Sequence, residues 1–377
     1  MTVAVQTPFL HAVAEPPVVE SAGKPMFLEF FAGSGLVSLG LAPYFRLAWA
    51  NDISPEKASV FNANHHNAPF QLGSIADVNG ANLPQAFLSW GSFPCQDLSL
   101  AGRAEGIRAK RSGLVWEWLR VMDEMSSPPP MIVAENVVGL VSSASGKHYR
   151  ELHNELVQRG YQVGAMMLDA ARWTPQSRPR VFVVGVAKNI KIPSELLDIW
   201  PNWLHTPAIV KASVGLRDWL WWKMPAPPPL RQRLSDIIEW DAPCFDAEKN
   251  KKTLALIAPS HMARLEASDL IAAPGYKRTR NGKQVLELRF DDMAGCLRTP
   301  GGGSSRQFLI MKKPHGWASR LLTVRETARL MGAPESFHLP GGYNDGYKAM
   351  GDAVAAPVAA YLAKHLLSRL AVAHVEA

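Results

Sequence analysis

The chain has 377 residues, of which 47% are hydrophobic and 19% charged, a balance typical of a globular protein with room for more than one domain. The formal net charge of +7 favours a polyanionic partner such as nucleic acid. Three widely spaced cysteines, Cys95, Cys244 and Cys296, indicate neither a disulfide framework nor a metal cluster, and are typical of an intracellular protein. The composition therefore argues against a small secreted scaffold, and no apolar run is long enough to predict a membrane span.

Short apolar runs alternate with amphipathic stretches after the first 24 residues, beginning with MFLEFF, the glycine turn AGSG and LVSLGLA. A second strand, RLAWA, ends before Asp52, and Ser54-Pro55-Glu56 supplies the N-cap, first-turn proline and first-turn acid of a helix. Further strands are predicted at AFLSW, MIVAEN, VGAMML and RVFVVGVA. This alternation predicts an α/β fold with a parallel, doubly wound, Rossmann-like sheet over residues 25–187. Residues 1–24 lack the pattern of a signal peptide and are expected to be a flexible tail.

The sequence after the last of these strands is rich in Pro and Trp, which indicates a second, smaller domain over residues 188–310. Within it, YKRTRNGKQVLELRF predicts a basic β-hairpin, because Asn281-Gly282 favours a type I′ turn. Residues 311–377 return to helix, with Thr323 and Glu326 forming a capping box. This last segment is expected to pack beside the first strand and to complete the first domain.

The glycine turn after the first strand is a candidate ligand site, because glycines let a ligand approach the backbone at the carboxyl edge of a sheet. A plain strand-to-helix turn would use the same residues. Asp52, at the end of the second strand, favours a nucleoside ligand, since a carboxylate there can accept both hydroxyls of a ribose. The GxGxxG pattern of diphosphate-binding loops is incomplete. A cofactor without a diphosphate, such as S-adenosylmethionine, is therefore predicted.

A cysteine and an acid follow two of the predicted strands, Cys95 after AFLSWGSFP and Glu135 after MIVA. Each has a structural alternative: a small buried hydrophobe for the cysteine, and a helix cap or ion-pair partner for the acid. Together on one edge of a sheet they favour covalent catalysis with a general acid. Arg178 and Arg180 alternate at the start of a strand and so share one face. They are either solvated edge residues or a grip for a base, a phosphate or a carboxylate.

Several short motifs occur in a characteristic order: FAGSG, ND, FPCQDLS, ENV, QSRPR, TVRETARLMG and GDAV. This set, which runs from Met26 to the C-terminal helix, resembles that of DNA (cytosine-5)-methyltransferases. The resemblance implies that Cys95 is the nucleophile and that Glu135 protonates or hydrogen-bonds cytosine N3. Arg178 and Arg180 would secure the base and the geometry of the active site.

The resemblance also implies two sets of binding residues. The S-adenosylmethionine site would be formed by Phe31, Gly33, Ser34, Gly35, Leu36, Asp52, Ile53, Ser74, Ile75, Pro94, Leu114, Asp352 and Val354. Cytosine and the surrounding DNA would be contacted by Gln96, Ser99, Asn136, Gln176, Thr299 and Gly302. Residues 94–114 resemble the mobile catalytic loop of the family.

Three positions depart from the family pattern. Ser74 stands in place of an acid near the adenine, Ser92 in place of a glycine, and Asp352 in place of the Asn of GNxV. None of these changes removes a chemical participant, so an active enzyme is expected.

The reaction implied is methyl transfer from S-adenosylmethionine to C5 of cytosine in double-stranded DNA, through addition of the Cys95 thiolate to C6 of a flipped base. Residues 188–310 would be the target-recognition domain, and the basic stretches 277–283 and 249–252 would contact phosphates, unless they are simply solvated loops. An RNA cytosine methyltransferase and a catalytically silent DNA-binding relative are the alternatives. The sizeable basic domain favours DNA, and the intact Cys95 and Glu135 favour activity.

We expect a monomer that is encoded by a bacterium or a phage and lies in the cytoplasm, associated with the nucleoid. The chain alone specifies neither a recognition sequence nor a partner restriction endonuclease.

Overall fold

The structure is a computed structural model that describes residues 23–94, 113–299 and 305–375. Within these residues a seven-stranded sheet has the order β3-β2-β1-β4-β5-β7-β6. Its strands are β1 (Met26–Phe30), β2 (Arg46–Asp52), β3 (Phe70–Leu72), β4 (Leu88–Gly91), β5 (Met131–Val137), β6 (Tyr161–Asp169) and β7 (Pro179–Ala187). A second sheet, with the order β11-β10-β12-β13, and a short β8–β9 pair follow along the chain. Their strands are β8 (Leu197–Asp198), β9 (Trp221–Trp222), β10 (Ala272–Arg280), β11 (Lys283–Leu288), β12 (Gln307–Lys313) and β13 (Gly316–Leu321).

Helices cover both faces of the large sheet and link the two sheets. The first six are α1 (Leu36–Leu41), α2 (Pro55–Asn64), α3 (Leu114–Glu124), α4 (Gly139–Ser142), α5 (Lys147–Gln158) and α6 (Pro207–Ser213). The others are α7 (Leu234–Ile237), α8 (Ala247–Leu254), α9 (Pro259–Glu266), α10 (Val324–Leu330), α11 (Tyr343–Asp352), α12 (Ala356–Leu362) and α13 (Ser368–Val375), with a π turn between the last two.

The large sheet is parallel from β3 to β5, as the sequence predicts, but β7 runs antiparallel to both of its neighbours. Only residues 170–178 separate β6 from β7. A parallel connection needs a crossover of a dozen residues or more, so the chain turns back as a hairpin instead. The predicted α/β fold with a large parallel sheet is confirmed, and β7 is an antiparallel strand that the pattern did not predict. As a consequence, β7 begins at the same edge of the sheet where β5 ends.

The large sheet is buried on both faces because its strands alternate their side chains between two apolar layers. Along β5, for example, Met131 and Val133 join one core, whereas Ile132 and Ala134 join the other. With both faces occupied by packing, the carboxyl edge of the sheet is where polar side chains can gather around a ligand.

The second sheet contains the predicted basic hairpin. Strands β10 and β11 pair antiparallel, and Asn281 and Gly282 between them have φ values of 48° and 75°, as a type I′ turn requires. The sheet has a small core of its own, which includes Ile257, Leu286 and Phe308.

Residues on both sides of each expected boundary of the second domain share one core with the large sheet. Leu204, Trp222 and Leu234, all after residue 188, are buried in the core of the large sheet. At the other end, the boundary after residue 310 falls inside β12, which belongs to the second sheet. A Pro- and Trp-rich composition identifies irregular backbone but does not say which core its side chains join.

The C-terminal segment returns to the large sheet through contact of α12 with α1. A Cβ on Gly40 would lie 2.6 Å from the carbonyl oxygen of Ala356, so only glycine allows the two helices to approach this closely. Every helix in the described residues falls short of the length and apolar character needed to cross a membrane.

Candidate active site

A cavity of about 840 Å³ opens at the carboxyl edge of the large sheet, within the usual size range of small-molecule sites. Predicted cofactor residues that line it are Phe31, Gly33, Leu36, Asp52, Ile53, Ser74, Ile75, Pro94, Leu114, Asp352 and Val354. Predicted catalytic and substrate residues that line it are Glu135, Arg178, Arg180, Asn136 and Thr299. One cavity therefore brings together most of the predicted residues that the structure describes.

The glycine turn between β1 and α1 is held by Asp52. The backbone N–H of Gly33 donates to one carboxylate oxygen of Asp52 over 2.8 Å, and the N–H of Ser54 donates to the other over 2.9 Å. Phe31 and Gly33 both have positive φ, 57° and 58°, which is a strained conformation for the phenylalanine. The strand-end carboxylate thus fixes the shape of the turn while it remains in the cavity wall.

Two predicted cofactor residues of this turn, Ser34 and Gly35, lie behind the cavity wall. The Ser34 hydroxyl donates to the carbonyl oxygen of Ala349 over 3.1 Å and so joins the turn to α11. Gly35 has φ 80°, and a Cβ there would lie 2.4 Å from the His65 ring. Both residues therefore contact other parts of the chain, and neither lines the cavity.

The cavity suits the nucleoside end of S-adenosylmethionine on the side of β2 and β3. Ile53 is 69% exposed, an unusual degree for isoleucine, and it stands in the cavity wall directly after Asp52. Ser74, which replaces the family's common acid, uses its hydroxyl to cap the next backbone turn at the N–H of Ala76, 3.2 Å away. An apolar wall beside a carboxylate matches the two faces of an adenosine: a flat base and a ribose diol.

Glu135 stands at the end of β5 and is almost fully buried. Burial raises the pKa of its carboxyl group above 4.5, although Arg180 and Arg178 oppose this effect. Arg180 Nε lies 3.1 Å from Glu135 Oε1. Val137 pairs with Arg180 in the antiparallel β5–β7 ladder, and Glu135 lies two residues before Val137. The side chains of Glu135 and Arg180 therefore lie on the same face of the sheet. Burial thus moves the pKa of Glu135 in the direction that suits a general acid, while Arg180 holds its carboxyl group in place.

Arg178 joins three distant parts of the chain. Its Nη1 donates to the carbonyl oxygen of Leu297 over 3.0 Å, and its Nη2 donates to those of Gly351 and Ala353 over 2.9 and 2.6 Å. The side chain is fully buried. The two predicted arginines therefore converge on one site but differ in their contacts, since Arg180 pairs with the acid and Arg178 organises the cavity wall.

Cys296 is a site residue that the sequence interpretation did not assign. Its Sγ lies 3.4 Å from Nη1 of Arg178 and 3.8 Å from Nη2 of Arg180, and the residue lines the cavity. Burial alone would raise the pKa of this thiol, but Arg178 and Arg180 outweigh that effect and the net shift is downward. A lone cysteine carries no sequence signal for such a position; only its neighbours in space reveal it.

Glu29 is a second unassigned residue, and here the sequence did contain a signal: an acid in the middle of an apolar strand. Glu29 is buried in β1 and lines the cavity, where it accepts a hydrogen bond from the Ser38 hydroxyl. Burial raises the pKa of Glu29 to about 8, with a smaller contribution from Asp52. The floor of the cavity thus holds a carboxyl group that is largely protonated at neutral pH.

Four predicted residues, Cys95, Gln96, Ser99 and Gly302, lie outside the described residues. Pro94 precedes Cys95 directly and lines the cavity. Gln176 lies behind the cavity wall: its Nε2 donates to Leu330 O over 2.9 Å, and its Oε1 accepts from Leu297 N over 3.0 Å.

The fold and this cavity define an α/β protein with a ligand site at the carboxyl edge of its sheet. The family to which it belongs consists of methyltransferases that use S-adenosylmethionine as the methyl donor. The family model for C-5 cytosine-specific DNA methylases matches residues 26–368, and the chain belongs to this family. It is a DNA (cytosine-5)-methyltransferase.

Curated relatives extend over most of the chain. The Type II methyltransferase M.BsuFI of Bacillus subtilis is 24% identical over 94% of this chain and 75% of its own length. The Type II methyltransferase M.Bsp6I of a Bacillus species is 25% identical over 90% of this chain and 97% of its own length.

Solved structures show the same fold at low identity. The Dnmt2 methyltransferase of S. pombe is 19% identical with a TM-score of 0.58, and the match covers 92% of this chain and 98% of the other. The Entamoeba histolytica methyltransferase EhMeth is 15% identical with a TM-score of 0.63, with 93% and 98% covered.

Proposed function

We propose that this protein methylates C5 of cytosine in double-stranded DNA through a covalent adduct between Cys95 and C6 of a flipped base. The observation that carries the proposal is the position of Glu135. This buried acid, paired with Arg180, shares one cavity with the Asp52-braced glycine turn. A base bound against Glu135 would meet a methyl donor bound along the turn.

The residues divide the reaction as follows. The Cys95 thiolate adds to C6 while the carboxyl group of Glu135 gives its proton to N3, so the ring becomes nucleophilic at C5. The bound cofactor supplies an electrophilic methyl group. Loss of the C5 proton to a base and return of the N3 proton to Glu135 then break the C6–S bond and release the thiolate. Arg180 holds the Glu135 carboxyl group in place during both proton transfers.

Access to this site requires the target base to flip out of the duplex. The acid and the arginine are buried in the cavity, so a cytosine stacked in a duplex does not reach them. The target nucleotide has to leave the stack, at a cost of a few kcal/mol.

The second sheet is proposed to bind the DNA around the target. We place this target-recognition domain at about residues 241–321, the segment that contains the second sheet and its small core, although part of this sheet also packs into the core of the large sheet. Lys283, at the tip of its exposed hairpin, offers positive charge to phosphates, whereas the nearby Arg280 is paired with Glu287. Since one chain contains both the cavity and this surface, we propose a monomer. The free thiols of Cys244 and Cys296 support a reducing cytoplasmic location.

Trapping with 5-fluorocytosine tests the covalent step. A duplex that carries the analogue cannot lose the C5 substituent as a proton, so the wild-type protein should form an adduct that survives denaturation. Cys95→Ser should form none while it still binds the duplex. Absence of adduct with the wild-type protein and active cofactor would contradict the covalent mechanism.

Substrate class is tested by methyl transfer to duplex DNA and to transfer RNA in parallel. We expect DNA to be methylated at least 10 times faster, a difference of about 1.4 kcal/mol in activation free energy. Faster transfer to RNA would overturn the proposed substrate.

A further inference from the structure

We propose that Lys57 and Asp352 form an ion pair that recognises the amino-acid end of the cofactor. Lys57 would bind its carboxylate and Asp352 its ammonium group. The inference rests on the proposed location of the cofactor in the cavity, and it adds a specificity residue, Lys57, outside the sequence-predicted set.

The two side chains meet across the cavity wall. Lys57 Nζ lies 2.7 Å from Asp352 Oδ2, and their side chains are 15% and 31% exposed. Both residues line the cavity, Lys57 from the first turn of α2 and Asp352 from the end of α11. The Thr299 hydroxyl donates to the other oxygen of Asp352. The pair therefore faces the ligand space from two elements that are far apart in sequence.

The pair lies between the two proposed halves of the site. On one side, the Lys57 side chain passes 4.0 Å from the position that a Cβ on Gly33 would occupy. On the other side, Asp352 is flanked by Gly351 and Ala353, whose carbonyl oxygens accept hydrogen bonds from Arg178. A cofactor with its nucleoside near Asp52 and its methyl group near Glu135 would extend its remaining arm along this stretch of wall.

Neither residue is well explained by the stability of the fold. A cation in the first turn of a helix opposes the helix dipole, so Lys57 is unfavourable for α2 by itself. A partly exposed ion pair contributes little net stability. A zwitterionic amino acid, in contrast, presents one carboxylate and one ammonium group, which are complementary in charge to an adjacent lysine and aspartate.

The departure of Asp352 from the common family Asn has a reason in this arrangement. An Asn would leave the Lys57 ammonium group without its counterion in the cavity wall, whereas Asp352 neutralises it. We therefore regard the two residues as one functional unit.

Calorimetric titration with three ligands tests the proposal without reference to turnover. S-adenosylhomocysteine carries the whole amino-acid end, its decarboxylated analogue retains only the ammonium group, and 5′-methylthioadenosine lacks both. Lys57→Met should weaken S-adenosylhomocysteine by about 10-fold, or about 1.4 kcal/mol. It should change the affinity for the other two ligands less than about 2-fold. Asp352→Asn should weaken the first two ligands and leave 5′-methylthioadenosine unchanged.

Lys348→Met is the matched control, because Lys348 also lines the cavity but is not part of the pair. It should leave the affinities for all three ligands unchanged. Equal weakening of all three ligands by Lys57→Met, no weakening, or reproduction of its effect by Lys348→Met would overturn the inference. The double variant Lys57→Met/Asp352→Asn removes both charges of the pair, so neither is left without a counterion. It replaces the single variants in the test if either of them fails to fold. If the wild-type protein binds none of the three ligands, the proposed function itself is contradicted.

Discussion

Glu29 shows how strongly burial alone can change a side chain's chemistry. It lies in β1 among fully buried neighbours such as Leu28 and Phe30, and burial raises its pKa to about 8. The protonated carboxyl group is therefore the form that the folded chain favours. A group of this kind stabilises the fold at low pH and loses that contribution as pH rises from about 4.5 to about 8.

Glu29→Gln should remove this pH dependence, because the amide keeps the shape of the acid but does not ionise. At pH 8.5 we expect the variant to exceed the wild type in free energy of unfolding by up to about 4 kcal/mol, with the gap shrinking toward pH 5. Urea unfolding across this pH range measures it. Glu248→Gln, an exposed acid paired with Lys252, is the control and should follow the wild type. A constant gap at all pH values would refute the ionisation argument.

Glu135→Gln should remove the acid that the proposed reaction uses and keep the cavity. We expect methyl transfer to fall by about 10² to 10⁴. S-adenosylhomocysteine binding, measured by calorimetry, should stay near the wild-type value. In the wild type, kcat/KM should decline as pH rises through the raised pKa of Glu135, since the protonated form is the donor. Retention of more than a tenth of the activity would argue against this role.

The direction of β7 decides which residues meet at the site. Arg178 and Arg180 stand at the beginning of this strand, whereas Glu135 stands at the end of β5. Had β7 been parallel, as its sequence pattern predicted, the arginines would lie at the opposite edge of the sheet from the acid. The alternation of side chains along a strand predicts which face of the sheet each residue occupies, but it does not predict the direction in which the strand runs. The short connection between β6 and β7 excludes a parallel crossover, but its length is known only once the structure gives the ends of these two strands.

The ends of helices, in contrast, were predicted correctly from local sequence signals. The Thr323–Glu326 capping box is present, with Glu326 N donating to Thr323 Oγ1 over 3.1 Å. The same glutamate has a second role that the local pattern does not contain. It forms two hydrogen bonds with Arg320 of β13, of 2.7 and 2.6 Å, and both side chains are almost fully buried. A capping residue thereby also joins the second sheet to α10.

Glu326→Ala should destabilise the protein by about 3 to 5 kcal/mol, because it leaves the buried Arg320 charge without a partner. Denaturant unfolding measures the loss. Glu335→Ala removes the partner of Arg329 in an exposed pair, where the glutamate side chain is 56% exposed, and should cost less than about 1 kcal/mol. Similar losses for the two variants would contradict the importance of burial.

At the scale of the whole molecule, the cavity lies at the edge of the large sheet, whereas the proposed DNA surface lies on the second sheet, which has a small core of its own. The basic hairpin lies on the smaller core, and Lys283 at its tip is exposed. Lys283→Gln should weaken duplex DNA binding about equally for all sequences. It should also lower the slope of log affinity against log salt by about 0.9, the value for one phosphate contact.

Arg369→Gln is the control for this measurement. Arg369 lies on α13, which contacts the start of β4 through His374 and Phe87, at the edge of the sheet opposite the cavity. For the Arg369→Gln variant, the slope of log affinity against log salt should equal that of the wild type. An unchanged slope for Lys283→Gln would exclude the hairpin tip as a phosphate contact.

The sequence by itself determined what depends on neighbouring residues: the glycine turn, the Asn281–Gly282 hairpin, the capping box, and the strand ends that carry Asp52 and Glu135. These features follow from backbone preferences and side-chain period over a few positions, and the motif order was sufficient to indicate the family.

The tertiary structure alone decided the reversal of β7, the core that residues 188–240 join, and the partners of Lys57 and Cys296. Each of these depends on contacts between segments that are far apart along the chain. Such contacts are selected by packing and charge compensation over the whole fold, and a local pattern does not encode them.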